Sequence, residues 1–237
     1  MITLAVDSSG KAAGVALLRD DALLYEAYLN NGLTHSETLL PMVAAALQAA
    51  GVEMQDVGLL GVGAGPGSFT GLRIGMALIK GLALPGNLPC VGVSSLEGLA
   101  AGIFVPQGSC IVAAEDARRG EVYAAAFMRE QEGLVRLCDD TAGKPEALAP
   151  LLLEQKKTTF LVGDGAEVCY NNLKTFLPLQ VVPPTWRLGR AAGVALCAFA
   201  AWQRGEAADA AQLQPAYHRL SQAQRQRQEK LKESENQ

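Results

Sequence analysis

The 237-residue sequence has few aromatic side chains, few histidines and no paired cysteines. Aromatic residues make up 5% of the chain, which contains only two histidines. Its five cysteines lie far apart and form no CxxC pair. Because the N-terminus also lacks the basic, cleavable pattern of an export signal, we expect free thiols in a reducing cytoplasm.

The sequence also has no long hydrophobic run and no excess of positive charge. Its longest apolar stretch, residues 191–202, is too short to span a bilayer, so no membrane segment is expected. The formal net charge is −4 and the pI is about 5.3. Surfaces that grip nucleic acid are usually basic, so any such contact would be local or supplied by a partner.

What the sequence does have is a hydrophobic content of 49% and a pattern that occurs twice. An apolar strand at Ile2–Val6, a turn beginning at Asp7 and a second strand resemble the arrangement that starts again at Cys110. Strands alternating with helices follow in both halves. The pattern predicts an α/β fold with two actin-like lobes of duplicated βββαβα units. The predicted units are an N-terminal lobe (1–105), a C-terminal lobe (106–212) and a partly flexible C-terminal helix or tail (213–237).

A glycine-rich segment covers residues 61–75 and precedes a predicted helix. A turn of this kind can hold phosphate, because free N–H groups and the helix dipole converge there. The glycines at 65, 67 and 71 are spaced GxGxxxG, which is neither the dinucleotide fingerprint nor a P-loop. The spacing therefore favours a structural turn over a phosphate site. The candidate residues of this loop are Gly65, Gly67, Ser68, Thr70 and Gly71.

Each half of the chain places an aspartate where its first strand meets the turn. Asp7, followed by Ser8, and Asp116 could be remnants of a nucleotide cleft, or could bond their own downstream backbone as turn residues. The sequence leaves both interpretations open. For Arg118 and Glu121, which follow Asp116, a pair across the turn is favoured over contact with a ligand.

Several segments, in this order along the chain, resemble the TsaB family, also called YeaZ. The similarity is strongest at residues 65–75 and 116–123 and weakest after about residue 220. The segments are LAVDSS (4–9), THSE (34–37) followed by Pro41, GPGSFTGLRIG (65–75), DARRGEVY (116–123) and QPAY (214–217).

This resemblance implies a sugar-kinase-like (ASKHA) fold and a role in making threonylcarbamoyladenosine in tRNAs that read codons beginning with adenine. It implies a non-catalytic, activating partner of the paralogous transferase TsaD, acting with the small ATPase TsaE. It also implies a homodimer and contact with tRNA through the complex, and it leaves open whether ATP or ADP binds at the complex interface. The HxxxH metal pair of TsaD-type paralogues is replaced here by Ser95 and Leu99, so no metal site is expected.

Two predicted helices are apolar around most of their circumference, so both faces of each helix must be buried against other protein. The rest of the chain could supply that cover, but the resemblance implies pairing through these helices with TsaD or with a second copy. The predicted interface residues are His35, Leu39, Met42, Val43, Ala46, Leu72, Ile74, Met76 and Ile79.

Two other functions remain as alternatives. One is a small-molecule or acyl kinase of the same fold, supported by the duplicated plan and Asp7. The other is a tRNA-binding module that uses residues 217–232, where five Lys or Arg residues stand against one Glu.

Overall fold

The computed structural model describes residues 1–218, and the first half forms a five-stranded sheet with three helices. The order of strands in the sheet is β3-β2-β1-β4-β5. Strand β1 pairs antiparallel with β2 and parallel with β4. The elements are β1 (Ile2–Asp7), β2 (Ala13–Arg19), β3 (Ala22–Leu29), α1 (His35–Ala50), β4 (Val57–Gly65), α2 (Phe69–Ala83), β5 (Cys90–Ser94) and α3 (Ser95–Ala101).

The second half repeats this arrangement around its own first strand. The sheet order is β11-β10-β6-β7-β8, with the short β9 on β7, so β6 takes the central place that β1 has in the first sheet. The predicted two-lobed, actin-like fold with duplicated lobes is thereby confirmed. The elements are β6 (Cys110–Arg118), β7 (Glu121–Glu130), β8 (Gly133–Arg136), β9 (Thr141–Gly143), α4 (Ala149–Gln155), β10 (Thr159–Val162), α5 (Ala166–Leu173), β11 (Leu179–Val181) and α6 (Ala191–Gln203).

The residues at the two ends of α1 show how local sequence sets the limits of this helix. Thr34 is the N-cap residue, but its side chain makes no capping hydrogen bond and lies 3.0 Å from the Ser36 hydroxyl instead. At the other end Gly51 has a φ of 62°, and its N–H bonds back to the last turn. This left-handed conformation, which glycine adopts without penalty, ends the helix.

The molecule is built in five layers. Helices α1 and α2 cover one face of the first sheet, and α6 covers its other face. Helix α3 lies beside α6 and packs on one face of the second sheet, whose far face is covered by α4 and α5. The chain therefore sends α6, which follows the second sheet in sequence, back to the first lobe.

The predicted boundaries at 105 and 212 stay predictions, although α6 ties the two sheets together across them. Of the predicted tail, 213–218 are described, whereas 219–237 lie outside the described residues, as does most of the basic segment 217–232. Within residues 1–218, no helix combines the length and apolar character required to cross a membrane.

Candidate functional site

The glycine loop packs directly against the β1–β2 turn. The backbone N–H of Ser68 donates to the carbonyl of Ser9 over 2.6 Å, and the Ser8 hydroxyl donates to the carbonyl of Gly71 over 2.8 Å. A methyl group added at Gly67 or Gly71 would overlap the carbonyl oxygens of Ser9 and Ser8 respectively. The glycines thus permit close backbone packing of the loop on the β1–β2 turn, and the choice between a structural turn and a phosphate site stays a prediction.

The beginning of α2 is satisfied locally as well. The Ser68 side chain caps the helix by accepting the N–H of Gly71 over 3.3 Å. Thr70 is exposed on the first turn. The N–H of Gly65, at the start of the loop, donates to the Ser95 hydroxyl over 3.1 Å. Ser95, at a position where the resemblance implies a metal ligand in the paralogues, therefore holds the start of the glycine loop through this hydrogen bond.

Asp7 is enclosed at the end of β1 and only 3% exposed. One carboxylate oxygen accepts the N–H and the hydroxyl of Ser9, over 2.9 and 2.7 Å. The carboxylate lies so close to Gly63 and Gly189 that a methyl group at either glycine would overlap it. Burial raises the pKa of Asp7, partly offset by the Ser9 hydrogen bonds. Asp7 is therefore bonded to its own turn and enclosed by two glycines from remote segments.

Asp116 performs the same turn chemistry in the second lobe, where its Oδ1 accepts the N–H of Arg118 over 2.7 Å. Arg118 and Glu121 are ladder partners across the β6–β7 hairpin. The predicted pairing of their side chains across the turn stays a prediction. The remnant-cleft interpretation of these residues stays a prediction.

A contact between lobes that the sequence did not reveal runs through Glu115, which immediately precedes Asp116. Its Oε1 lies 3.2 Å from the hydroxyl of Ser9, so one hydroxyl joins the carboxyl groups of Asp7 and Glu115. Burial and the nearby Asp7 and Asp164 raise the pKa of Glu115 well above its usual range. The only sequence signal was an acidic residue at the end of an apolar run.

Leu99, at the second metal-ligand position of the paralogues, is buried in the core around α3. Among residues 1–218 no group of three or more His, Cys, Asp or Glu side chains is arranged to hold a metal ion. Neither Ser95 nor Leu99 offers the imidazole ligand that the resemblance implies for the paralogues.

Residues 212–217, which we call the strap, cross the carboxyl ends of β4 and β5. The N–H of Ala216 donates to the carbonyl of Ala64 over 2.7 Å, and Leu213 is buried in the first lobe's core. A cavity of about 410 Å³ lies between the strap and the strands, with Ser94 and Asp140 in its wall. The Ser94 hydroxyl donates to Asp140 over 2.7 Å. The strap thus closes the cavity on one side with backbone contacts.

At its end the strap is fastened to α2. The ring of Tyr217 stacks on Phe69 with 3.9 Å between centroids and 7° between planes. The Nε–H of Arg73 donates to the Tyr217 hydroxyl over 2.9 Å, and its guanidinium lies 4.7 Å from the centre of the Phe69 ring. The QPAY segment therefore serves to fix the strap across the beginning of α2.

Most of the predicted interface side chains are in the core. Seven are buried between the helices and the first sheet, and Ile74 is half-buried. His35 is also half-buried and its Nε2 lies 3.1 Å from the carbonyl of Gly10, which ties α1 to the β1–β2 turn. The buried seven are Leu39, Met42, Val43, Ala46, Leu72, Met76 and Ile79.

A partner that binds α1 and α2 would instead touch their outer face. This face is mostly small or apolar, and Leu40 is 54% exposed on it. The buried members of the predicted interface lie on the inner side of each helix, and the interface itself stays a prediction. We define the outer face as Glu37, Leu40, Ala44 and Gln48 on α1 with Arg73, Ala77 and Gly81 on α2, all exposed.

Comparison with known proteins gives one consistent family. The family model of TsaD, described as tRNA N6-adenosine threonylcarbamoyltransferase, matches residues 32–220. The structure is similar to that of YeaZ from Pseudomonas aeruginosa, with a TM-score of 0.74, 30% identity, and coverage of 91% of this chain and 99% of that one.

Curated proteins named tRNA threonylcarbamoyladenosine biosynthesis protein TsaB are similar in sequence. The Escherichia coli protein is 41% identical over 135 residues, 56% of this chain. The Buchnera aphidicola protein is 30% identical over 171 residues, 69% of this chain and 79% of that one. The matches to the proteins of Escherichia coli, Haemophilus influenzae and Bacillus subtilis span 58%, 54% and 61% of their lengths.

Proposed function

Because this chain belongs to the TsaB (YeaZ) family, we propose that it takes part in forming threonylcarbamoyladenosine in tRNA. The relatives' names support this proposal, since several are tRNA threonylcarbamoyladenosine biosynthesis proteins. The similarity to YeaZ over nine-tenths of the chain supports it further.

Within that process we propose a non-catalytic role, as the activating partner of a TsaD-type transferase. The observation that carries this proposal is the enclosed Asp7. Kinases of this fold use an early-strand aspartate to position a metal-bound phosphate, whereas here Ser9, Gly63 and Gly189 occupy the space around the carboxylate. The glycine loop packs closely against Ser8 and Ser9. A protein whose Asp7 is enclosed in this way is better suited to stabilise a partner than to transfer a group.

The partner we propose has the same fold, because the TsaD family model itself matches this chain. The outer face of α1 and α2 is the surface proposed for it, and a second copy of this chain would compete there as a homodimer. A TsaE-type ATPase would complete the assembly. The substrates would be tRNAs that read codons beginning with adenine, reached in the cytoplasm through the complex.

The test is a reconstituted modification assay. Purified TsaD-type and TsaE-type proteins, a threonylcarbamoyl-adenylate source and unmodified tRNA are combined with and without this chain, and modified adenosine is measured by mass spectrometry. We expect modification only when the chain is present, and none from the chain alone. Equal modification without the chain would overturn the activating role, and ATP turnover by the isolated chain on small substrates would favour the kinase.

A further inference from the structure

The hairpin that joins β6 and β7 has an unusual backbone for its sequence. Arg118 pairs with Glu121, so Arg119 and Gly120 form a two-residue connection. Their φ angles are 60° and 75°, positive at both central positions, as a type I′ turn requires. Arg118 also has a positive φ, 67°, next to the bulge that Ala117 makes in the strand. Three consecutive residues are thus left-handed, and two of them are arginines.

Arginine is a poor choice for this backbone. The left-handed region crowds the β-carbon, and type I′ turns favour Asn-Gly or Asp-Gly for that reason. Residues kept in such regions against their preference concentrate at functional sites, since the surrounding structure must hold them there. The positions of Arg118 and Arg119 therefore require a reason other than local stability.

Local contacts do not supply that reason. Both arginines are exposed, and among the described residues neither guanidinium takes part in an ion pair. Two acids beside the turn bond to its backbone. Asp116 accepts the N–H of Arg118, and Asp164 accepts the N–H of Asp116, each over 2.7 Å. These bonds fix the base of the hairpin that carries the two arginines.

A third cation lies on the opposite turn. Lys11, in the β1–β2 turn, is 3.1 Å from the second carboxylate oxygen of Asp164, and its side chain is 63% exposed. The ion pair of Lys11 with Asp164 and the hydrogen bond from the Asp116 N–H to Asp164 therefore connect the β1–β2 turn of the first lobe to the β6–β7 hairpin of the second. The exposed cations Lys11, Arg118 and Arg119 thus lie on these two turns.

Adjacent guanidinium groups on a turn held by hydrogen bonds suit a phosphate ligand, because each guanidinium can donate two parallel hydrogen bonds to the phosphate oxygens. We propose that Arg118 and Arg119 contact the phosphate backbone of the tRNA whose modification this protein assists. The inference rests on the proposed function for its ligand, since tRNA is the polyanion of that process. It adds a direct contact by a described part of this chain, independent of the basic segment beyond residue 218.

The test replaces both arginines by asparagine in the full chain, R118N/R119N. Asparagine tolerates the left-handed region better than arginine does, so the hairpin should be retained while both charges are lost. The matched control R19N/K157N removes two exposed cations from the opposite ends of the sheets. Binding of unmodified tRNA by the complex with the TsaD-type partner is measured by fluorescence anisotropy over a series of salt concentrations.

We expect R118N/R119N to bind tRNA roughly tenfold more weakly at low salt and to reduce the log–log salt slope by about two, about one per phosphate contact. The control should change neither quantity to that extent. Unchanged affinity and slope for R118N/R119N would overturn the inference. So would an equal loss in the control, or weaker binding of the partner protein with tRNA binding intact, which would indicate an acidic protein surface instead.

Failure of this inference is distinguishable from failure of the proposed function. If the unaltered chain is required in the modification assay but R118N/R119N binds tRNA normally, only the hairpin's role is lost. If the chain is dispensable for modification, the proposed function fails whatever the hairpin binds.

Discussion

Ser9 lies between two carboxyl groups that belong to different lobes, and it has a single hydroxyl proton. Its oxygen is 2.7 Å from Asp7 Oδ1 and 3.2 Å from Glu115 Oε1, and one proton cannot be donated to both. Burial, reinforced by Asp7 and Asp164, raises the pKa of Glu115. In the protonated form Glu115 can donate to Ser9 while Ser9 donates to Asp7, which would satisfy all three groups.

This arrangement predicts a pH dependence of stability. Because the pKa of Glu115 is higher in the folded than in the unfolded state, the folded state binds more protons. The contribution of Glu115 is therefore fully present below its unfolded pKa and is lost as pH rises through the folded pKa. The variant E115Q stays neutral and can still donate to Ser9. We expect its free energy of unfolding to exceed that of the unaltered protein at pH 8, with the difference shrinking towards acid pH.

Urea denaturation from pH 5 to pH 8 measures this difference. The variant E154Q, which alters an exposed glutamate on α4, is the control and should show little change. The other charged groups that face the pair are Asp164, Asp140 and His35, which are present in both proteins. A stability difference for E115Q that is constant over the pH range would contradict a neutral Glu115.

Helices α3 and α6 meet at the centre of the molecule through two glycines. A methyl group at Gly193 of α6 would overlap the carbonyl oxygen of Gly98, and one at Gly98 would press on Val194. Glycine inside a helix costs about 0.5–1 kcal/mol relative to alanine. The close approach of the two helices, which joins the sheets of both lobes, offsets that cost.

Replacing Gly193 by alanine should therefore destabilise the protein although alanine favours helix. We expect a loss of about 1–3 kcal/mol in the free energy of unfolding, because the methyl group forces the backbones apart. The matched control is G81A in α2, where nothing lies within 4 Å of the added methyl group. That variant should gain roughly 0.5–1 kcal/mol. Equal effects of the two variants in urea denaturation would refute the close helix contact.

In the whole molecule, α1 and α2 form an outermost layer whose inner sides fill the first lobe's core. Only their outer face is available to another protein. Seven of the predicted interface residues point inward, so changing them tests the fold and not a partner. Substitutions at the neighbouring residues Met76 and Ala77 of α2 separate an effect on folding from an effect on partner binding, because Met76 is 4% exposed and Ala77 is exposed.

Placing a charge on the outer face should weaken partner binding and leave the fold intact. We expect A77E to reduce affinity for the TsaD-type partner at least about tenfold, since an interface of small residues would bury an unpaired carboxylate. The variant M76E should instead lower the free energy of unfolding. Titration calorimetry and urea denaturation measure the two quantities, with A147E, an exposed alanine of the second lobe, as the control. Unchanged affinity for A77E would remove this face as the partner surface.

Much of the fold could be predicted because its signals are local. Apolar runs, the capping Gly51 and the repetition of an aspartate at each first turn gave the helices, the strands and the two lobes. The side of a helix that faces the core was harder to predict. On α1, alanines and leucines occur on all sides, so the period that would mark the inner side is weak. The predicted interface therefore includes Met42, which is buried.

The sequence by itself determined the duplicated plan, the family resemblance and the positions of Asp7 and the glycine loop. The tertiary structure alone decided how closely these positions are packed, because the atoms that contact them come from remote segments. Gly189 lies against Asp7, and Glu115 meets Ser9 across 106 positions of the chain. Such contacts depend on how the sheets and helices pack together, and packing of this kind leaves no periodic pattern in the sequence.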